Sequence, residues 1–374
     1  MDATSGRVRY TCPSVWFGPV QSIRFSPDGR TLAICAATGA LSLWEADRWE
    51  PIRKFETGDI SAAVTSVTSA IAWAPDNRHI ARADNRQRIV EIIDLNSGHV
   101  QRVLSGNADK ITSISWSPDG GFIATGTLDG KIHVWELESD SEAPSVTLGA
   151  HLGAVSLIDW IPESQSLVTT GLDGMIEIWE RSDGSLTNRI ERQTDSITCA
   201  ALSRDGSVLS TGSPDGIIRL WNTRSGWTSN LFRIDPNDVD ARQSTFTAVA
   251  WSPDGQLLAW GDSTGKIRIW NLGSRQWQRS FLTACGSISS LAWSADGRGL
   301  LCGGSDGKVR IWDAKDDFQE HVVLLPLWGP VGPGIAVSAA GDYRGPPGLA
   351  DHVVYIAQTA EAQVTLSPAD FKSQ

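Results

Sequence analysis

Hydrophobic and polar residues alternate along many short stretches of this chain, and turns rich in Gly, Pro and Asp separate the stretches. Lys131-Ile132-His133-Val134-Trp135 is one such stretch. Alternation at every second residue is typical of a half-buried β-strand, whereas an amphipathic helix spaces its apolar residues three and four apart. No stretch of convincing length has the helical spacing. The pattern therefore predicts an all-β fold.

One sequence phrase recurs with a period of about forty residues, which is typical of a repeat architecture. An alternating strand ends in Trp, a Ser-Pro-Asp-Gly turn and a second apolar strand follow, and an Asp-Gly turn leads into a third strand that also ends in Trp. Ile111–Leu137 shows the whole phrase, with Trp116, Ser117-Pro118-Asp119-Gly120, Asp129-Gly130 and Trp135. The third-strand position falls at Trp44, Ile93, Trp135, Trp179, Trp221, Trp270 and Trp312.

The two turns explain why the phrase folds into adjacent strands. Pro presets φ in the first turn and Gly accepts a positive φ there, while Asp-Gly between alternating runs predicts a hairpin. Over Val20 to Ala314 the repeat resembles the WD-repeat family. That resemblance implies a β-propeller of seven clear four-stranded blades, in which the Trp side chains supply much of the apolar area between blades.

The ends of the chain suggest how the ring closes. Val8-Arg9-Tyr10-Thr11 lies where a fourth strand belongs, and the resemblance implies that this N-terminal strand closes the propeller. His321–Pro326 fits the outer strand of blade seven. Within residues 321–374, Gly334–Gly341 resembles a first strand and turn, and Val353–Leu366 aligns without gaps to Phe122–Trp135.

These tail segments favour a degenerate eighth blade, completed by the N-terminal strand, within a single domain of residues 1–374. The alternative is seven blades followed by a C-terminal extension. The tail also resembles the endings of bacterial WD-repeat proteins, notably those of planctomycete type.

Composition narrows the class of function. The chain has 32 Lys and Arg against 43 Asp and Glu, a net charge of −11, which argues against a nucleic-acid binder because such affinity rests on clustered basic residues. The start of the chain lacks the features of a signal peptide, and no apolar run is long enough to span a membrane. We expect a cytoplasmic protein with no membrane partner. The chain has five scattered cysteines, and several of them, which lie in apolar, strand-like runs, are expected to be buried free thiols; the five are Cys12, Cys35, Cys199, Cys285 and Cys302.

Two segments match the esterase pattern Gly-x-Ser-x-Gly, namely Gly261–Gly265 and Gly303–Gly307. A nucleophile elbow needs a strand that runs into a helix, but both segments coincide with predicted hairpin turns. The structural interpretation is therefore strongly favoured. No cofactor or metal site is predicted, since no pair of His or Cys has the spacing of metal ligands.

His151, Thr170 and Asp173 could form a catalytic triad in principle. The WD-repeat resemblance implies instead a buried structural network of these three side chains with Trp179, because buried polar groups need partners. The other repeats depart from this pattern. At the position of His151 they carry Trp16, Asn107, Gln193, Arg242 and Ala284, and the second repeat has no clear His.

The resemblance also implies that partners bind to loops on one face of the disc. Trp16 and Phe17, aromatic residues in a polar loop, and Arg242 are candidate contacts, because aromatic residues and Arg are enriched in binding hot spots. The loop at 235–240 lacks the ligand spacing of a calcium loop. Its Asp238 and Asp240 favour a partner with a basic segment.

We therefore predict a non-enzymatic scaffold that presents a loop face to peptides or domains of other proteins, as a monomeric propeller within a larger complex. One alternative is a regulatory or sensor propeller that binds a small ligand in its central channel. A hydrolase is a further alternative and is less favoured, because no convergent set of acids, His or metal ligands is present.

Overall fold

Antiparallel β-strands make up every regular element that the computed structural model describes. The structure describes residues 9–10, 18–55, 70–162, 164–190, 195–226, 228–233, 244–315, 317–326, 334–338, 343–344, 355–358 and 363–366. Within these ranges, no helix has the length and apolar character needed to cross a membrane.

Seven sheets follow one another along the chain, and each begins with four strands paired in sequence order. Blades one to three contain β2 (Val20–Phe25), β3 (Thr31–Ala36), β4 (Leu41–Glu45) and β5 (Glu50–Phe55); β6 (Ile71–Trp73), β7 (His79–Asp84), β8 (Ile89–Asp94) and β9 (Val100–Leu104); and β10 (Ile111–Trp116), β11 (Phe122–Thr127), β12 (Lys131–Glu136) and β13 (Val146–Gly149). Blades four and five contain β14 (Val155–Trp160), β15 (Ser166–Gly171), β16 (Ile176–Glu180) and β17 (Leu186–Ile190); and β18 (Cys199–Leu202), β19 (Val208–Gly212), β20 (Ile217–Asn222) and β21 (Thr228–Arg233). Blades six and seven contain β22 (Phe246–Trp251), β23 (Leu257–Asp262), β24 (Lys266–Asn271) and β25 (Gln276–Leu282); and β26 (Ile288–Trp293), β27 (Gly299–Gly304), β28 (Val309–Asp313) and β29 (Gln319–Pro326).

The Ser-Pro-Asp-Gly turn that joins the first two strands of a blade is held by its own side chains. In blade three the Ser117 hydroxyl donates to Asp119 Oδ1 at 2.6 Å and accepts from the backbone N–H of Phe122 at 2.9 Å. Gly120 has a φ of 79°, which only glycine adopts freely. The same serine–aspartate contact recurs at 2.6 Å in four other turns: Ser26–Asp28, Ser203–Asp205, Ser252–Asp254 and Ser294–Asp296.

Apolar side chains form one cluster at each junction between neighbouring blades, seven in all among the described residues. The cluster that joins blade seven to blade one contains Val20 and Ile23 from the first strand of blade one and Leu301, Val309 and Ile311 from blade seven. The ring is therefore closed by direct packing of blade seven on blade one.

Tryptophans at the ends of first strands also connect the blades. Their indole N–H groups donate to a backbone carbonyl of the preceding blade, at Trp73 to Arg24, Trp160 to Ser115, Trp251 to Ala201 and Trp293 to Ala250. These bonds measure between 3.1 and 3.3 Å. A tryptophan at this position thus contributes both apolar area and a hydrogen bond to a blade junction.

Hydroxyl groups on the innermost strands show that the closing junction is built like an internal one. Between blades three and four, Thr112 Oγ1 donates to the carbonyl of Val155 at 2.7 Å, and Ser113 Oγ accepts from the N–H of Ile158 at 3.1 Å. Between blades seven and one, the hydroxyls of Ser289 and Ser290 make the equivalent contacts with Val20 O and Ile23 N.

The sequence favoured eight blades, and the structure corrects this number to seven. The apolar faces of blades seven and one cover each other and leave no face for another blade. The tail segment β30 (Gly334–Ser338) pairs with β29, and β31 (Tyr343–Arg344) pairs with β30, so both extend the sheet of blade seven to six strands. Ala336 of β30 packs into the cluster between blades seven and one.

The N-terminal strand does not complete a blade in the expected way. β1 (Arg9–Tyr10) pairs with β32 (Tyr355–Gln358), which forms a hairpin with β33 (Gln363–Leu366). The sequence predicted that the N-terminal strand would complete an eighth blade beyond its third strand, but β1 lies on the other side of this hairpin in a separate three-stranded sheet.

Candidate functional site

The order of strands within a blade places two classes of loop on one face of the propeller. Because the strands are antiparallel, the loop before a blade's first strand and the turn between its second and third strands lie at the same end of the sheet. In blades three and four, the N–H groups of Leu128 and Leu172 in such turns donate to the carbonyls of Lys110 and Ala154 at 2.9 Å. We call the surface formed by these loops and turns the upper face.

Blade four carries a buried polar network beneath the upper face. His151 Nδ1 lies 3.0 Å from Asp173 Oδ1, and His151 Nε2 lies 3.0 Å from Thr169 Oγ1. The indole N–H of Trp179 donates to the same hydroxyl at 3.1 Å. The network therefore links the loop before β14, the strands β15 and β16, and the turn between them.

The sequence assigned Thr170 to this network, but the structure places Thr169 there. Thr170 Oγ1 instead lies 2.8 Å from Ser156 Oγ on the first strand. Successive side chains of a strand point to opposite faces, so neighbouring threonines cannot share one environment. The register shift between Val155 and Leu157 in the adjacent strand marks the β-bulge at this point.

The carboxylate of Asp173 accepts hydrogen bonds mainly from backbone N–H groups. Burial alone would raise the pKa of its carboxyl, but the N–H groups of Leu152 and Met175, together with His151, outweigh burial and lower that pKa. Leu152 N–H donates to Asp173 Oδ2 at 2.9 Å, and Met175 N–H donates to Oδ1 at 3.1 Å. The carboxylate therefore fixes the loop that contains Leu152.

Leu152 is the most exposed large hydrophobic side chain of the described residues, at 98%. Leu128 and Leu172 are 43% and 45% exposed on the same face. The loop at 151–153 lies between their two turns, since His151 N–H donates to Gly130 O at 3.0 Å and Leu172 packs beside Gly153. We call Leu128, Leu152 and Leu172 the leucine patch.

The leucine patch was not predicted from the sequence, although the turns carry a signal of it. The second-to-third strand turns of blades three and four read Leu-Asp-Gly at Leu128–Gly130 and Leu172–Gly174, whereas those of blades five and seven have Pro214 and Ser305 before Asp-Gly. Apolar residues at equivalent turns of two neighbouring blades bring exposed apolar side chains onto one surface, and exposed apolar patches are typical of binding surfaces.

The other candidate contact residues, Trp16, Phe17, Asp238, Asp240 and Arg242, lie outside the described residues, as does Gln193. Asn107 does lie within them, at the position of His151 in blade three. Its side-chain oxygen accepts a hydrogen bond from Thr125 Oγ1 at 2.9 Å. In blade five, Trp221 donates to Thr211 Oγ1 at 2.9 Å.

The serines of the two Gly-x-Ser-x-Gly segments lie in hairpin turns. Ser263 follows β23 and Ser305 follows β27, and each is followed by the third strand of its blade. In the part of the chain that the structure describes, no cluster of three or more His, Cys, Asp or Glu side chains could hold a metal ion.

The first strands of the blades line a central channel with a cavity of about 460 Å³. Thr112, Thr198 and Ser289 on its wall each donate to the carbonyl of the next blade, so these hydroxyls hold blades together. Arg24 lines the channel and its side chain is exposed to it. The enclosure of the guanidinium within the ring lowers its pKa, and the charge of Asp159 opposes that shift.

Comparison with known proteins agrees with this architecture. Residues 67–323, more than half of the chain, match the profile of the family described as IFT122 first beta-propeller. The chain belongs to this family. A second profile, described as WD domain, G-beta repeat, matches residues 10–45, which confirms the WD-repeat resemblance.

Curated relatives of this IFT122-type propeller match over single segments. The anaphase-promoting complex subunit cdh1 of Dictyostelium discoideum is 26% identical over 139 residues, which are 36% of this chain and 17% of that protein. The nuclear distribution protein PAC1 of Arthroderma otae is 26% identical over 125 residues, 33% of this chain and 27% of that protein. Protein groucho of Drosophila melanogaster is 30% identical over 118 residues, 32% of this chain and 16% of that protein.

The chain thus spans less than a third of the length of each of these relatives. All three are from eukaryotes, and they give no support to a bacterial origin of the C-terminal tail.

Proposed function

We propose that this propeller is a non-enzymatic scaffold that binds a peptide or domain of another protein on its upper face, with the leucine patch as the central contact. The observation that carries the proposal is the exposure of Leu152 on a loop that a buried network holds in place. An exposed apolar side chain on a rigid backbone loses little conformational entropy on binding, which favours affinity.

The surroundings of the leucine patch fit a protein partner. The patch joins two blades across consecutive loops, so a bound segment contacts several elements at once. Apolar anchors with polar surroundings are typical of protein interfaces. The names of relatives such as cdh1 identify them as subunits of a multiprotein complex. We extend that role, as a monomeric propeller within a cytoplasmic complex, to this chain as a proposal.

Affinity capture from the native cell, followed by mass spectrometry, tests the leucine patch. Leu152→Gln combined with Leu172→Gln should remove the proteins that the wild type captures. Ile52→Gln is the matched control, since Ile52 is 54% exposed on the outer strand of blade one, away from the patch. If the double variant captures the same proteins as the control, the leucine patch is not the contact.

We further propose that Trp16, Phe17 and Arg242 extend this contact surface and that Asp238 and Asp240 attract a basic partner segment. Opposite charges on two partners accelerate association at low salt. Reversal of both aspartates to lysine should slow association and weaken its salt dependence. Unchanged association kinetics would contradict the role of this loop.

A small-anion sensor is the second candidate, favoured by Arg24 on the wall of the central channel. A metabolite screen by thermal shift, with Arg24→Gln as the control variant, separates it from a scaffold. The role of Ser263 and Ser305 as turn residues supports a protein without hydrolase activity, and a broad hydrolase screen tests that part of the proposal.

A further inference from the structure

Blade seven contains two cysteines in direct contact. Cys285 lies in the loop between β25 and β26, and Cys302 lies on β27; both side chains are buried. Their sulfur atoms are 3.0 Å apart, roughly 1 Å more than the bond length of about 2.05 Å in a disulfide. Neither cysteine belongs to the leucine patch or to the other contact residues proposed above.

The pair occupies the position of the blade-four network. Cys285 lies three residues before β26, next to Ala284, which aligns in sequence with His151, and it contacts Cys302, which corresponds to Thr169 on the second strand because the registers of the two blades match. Blade four joins its loop to its second strand by a hydrogen bond between the His151 imidazole and the Thr169 hydroxyl, whereas blade seven brings two thiols together. In both blades a side-chain contact therefore joins the loop before the first strand to the second strand, through an imidazole and a hydroxyl in blade four and through two thiols in blade seven.

Arg310 on β28 gives the two thiols different properties. Its Nη1 lies 3.3 Å from Cys285 Sγ, and it also forms an ion pair with Asp306 at 2.7 Å. The hydrogen bond from Cys302 and the charge of Arg310 lower the pKa of Cys285. Burial and the neighbouring Cys285 raise the pKa of Cys302 well above its usual value.

We propose that Cys285 and Cys302 form a reversible disulfide when the protein meets a peroxide. Cys285 Sγ attacks one oxygen of hydrogen peroxide, the O–O bond breaks, and Cys285 becomes a sulfenic acid. Cys302 Sγ then attacks Cys285 Sγ; the S–S bond forms as the S–O bond breaks. The two thiols lose two electrons and two protons, and the peroxide leaves as two molecules of water.

The second step follows from the first through the charges of the site. Once Cys285 is a sulfenic acid, its negative charge no longer raises the pKa of Cys302, and Arg310 then favours the Cys302 thiolate. The thiolate is the reactive form of cysteine. Because Cys285 is buried, peroxide would have to enter as the 283–287 loop opens, and this loop contains no strand residue.

The disulfide would tie the loop before β26 to β27 covalently, across a sequence separation of 17 residues. A cross-link over a loop of this length restricts the unfolded chain, and we expect Tm to rise by about 4 °C on oxidation. A reductant such as dithiothreitol should reverse the rise.

Peptide mapping of the full folded chain after hydrogen peroxide treatment tests the proposal. Trypsin cleaves after Arg279, Arg298 and Lys308, so the two cysteines fall in separate peptides, Ser280–Arg298 and Gly299–Lys308. Without reductant these two peptides should be recovered as one linked species, and dithiothreitol should separate them. Excess alkylating reagent after digestion prevents exchange between thiols.

Two variants complete the experiment. Cys302→Ser should lose both the linked species and the rise in Tm. The matched control Cys199→Ser removes a buried thiol whose pKa burial raises to about 12, and it should leave both unchanged. The proposal is overturned if wild type yields no linked peptides while folded, if they form only in denaturant, or if Cys285 accumulates as a sulfinic acid instead.

Discussion

The hydroxyl of Ser289 joins the last blade to the first, so its removal tests how the ring is closed. Ser289 Oγ donates to the carbonyls of Val20 in blade one and Gly303 in its own blade. Thr112 Oγ1 makes the same pair of contacts, to Val155 and Gly126, inside the ring. Ser289→Ala and Thr112→Val should therefore destabilise the protein to a similar extent.

The expected loss of stability follows from the two carbonyl groups that lose their hydrogen-bond donor when the hydroxyl is removed. A buried polar group without its partner costs about 1–3 kcal/mol. Unfolding entropy is about 2.1 cal/mol/K per residue, which for 374 residues is roughly 0.8 kcal/mol/K. Each substitution should thus lower Tm by about 1–4 °C.

Differential scanning calorimetry of the two variants beside wild type measures this shift. Ser182→Ala, at an exposed serine of blade four, is the control and should leave Tm unchanged. A fall in Tm for Thr112→Val but none for Ser289→Ala would refute the reasoning, because it would mean that blade seven does not bond to blade one as the inner blades bond to each other.

Three further results are expected. Truncation after Ser338, which keeps the fourth strand of blade seven and β30, should leave a folded propeller by circular dichroism, with one cooperative transition; a molten product would restore the case for an integral tail. His151→Ala should lower the free energy of unfolding by about 2 kcal/mol through loss of two buried contacts, measured in urea, and an unchanged midpoint would contradict this role. Acid should destabilise the fold: the Ser117 hydroxyl, aided by Arg181 against the opposing effect of burial, lowers the pKa of Asp119 to about 2, so this contribution is complete above about pH 4 and is lost as pH falls towards 2. Ser117→Ala should reduce that loss.

The sequence predicted the repeat well because its information is local. Turns such as Ser117–Gly120 and third-strand residues such as Trp135 depend on neighbours a few residues away, and the structure places each in the predicted element. Thr169 was missed because two threonines are adjacent, and only the register of the strand decides which of them faces His151. The prediction of how the ring closes was wrong because closure depends on which distant apolar faces pack against each other. The sequence around residues such as Val20 and Leu301 has no local feature that predicts this pairing.

The leucine patch and the cysteine pair share a physical origin. Stability is distributed over seven similar blade junctions, so the side chains at the position of His151 can differ without loss of the fold. Blade three has Asn107 there and blade four has His151, while in blade seven Ala284 aligns with His151 and the adjacent Cys285 contacts the second strand. The residues of this loop fix its position in blade four and bring two thiols together in blade seven. They therefore need not be the same in every repeat. Function in such a ring is therefore best sought where equivalent positions differ in chemistry, and the junction between blades three and four, with its leucines on the surface and its polar network below, is the strongest such position for binding.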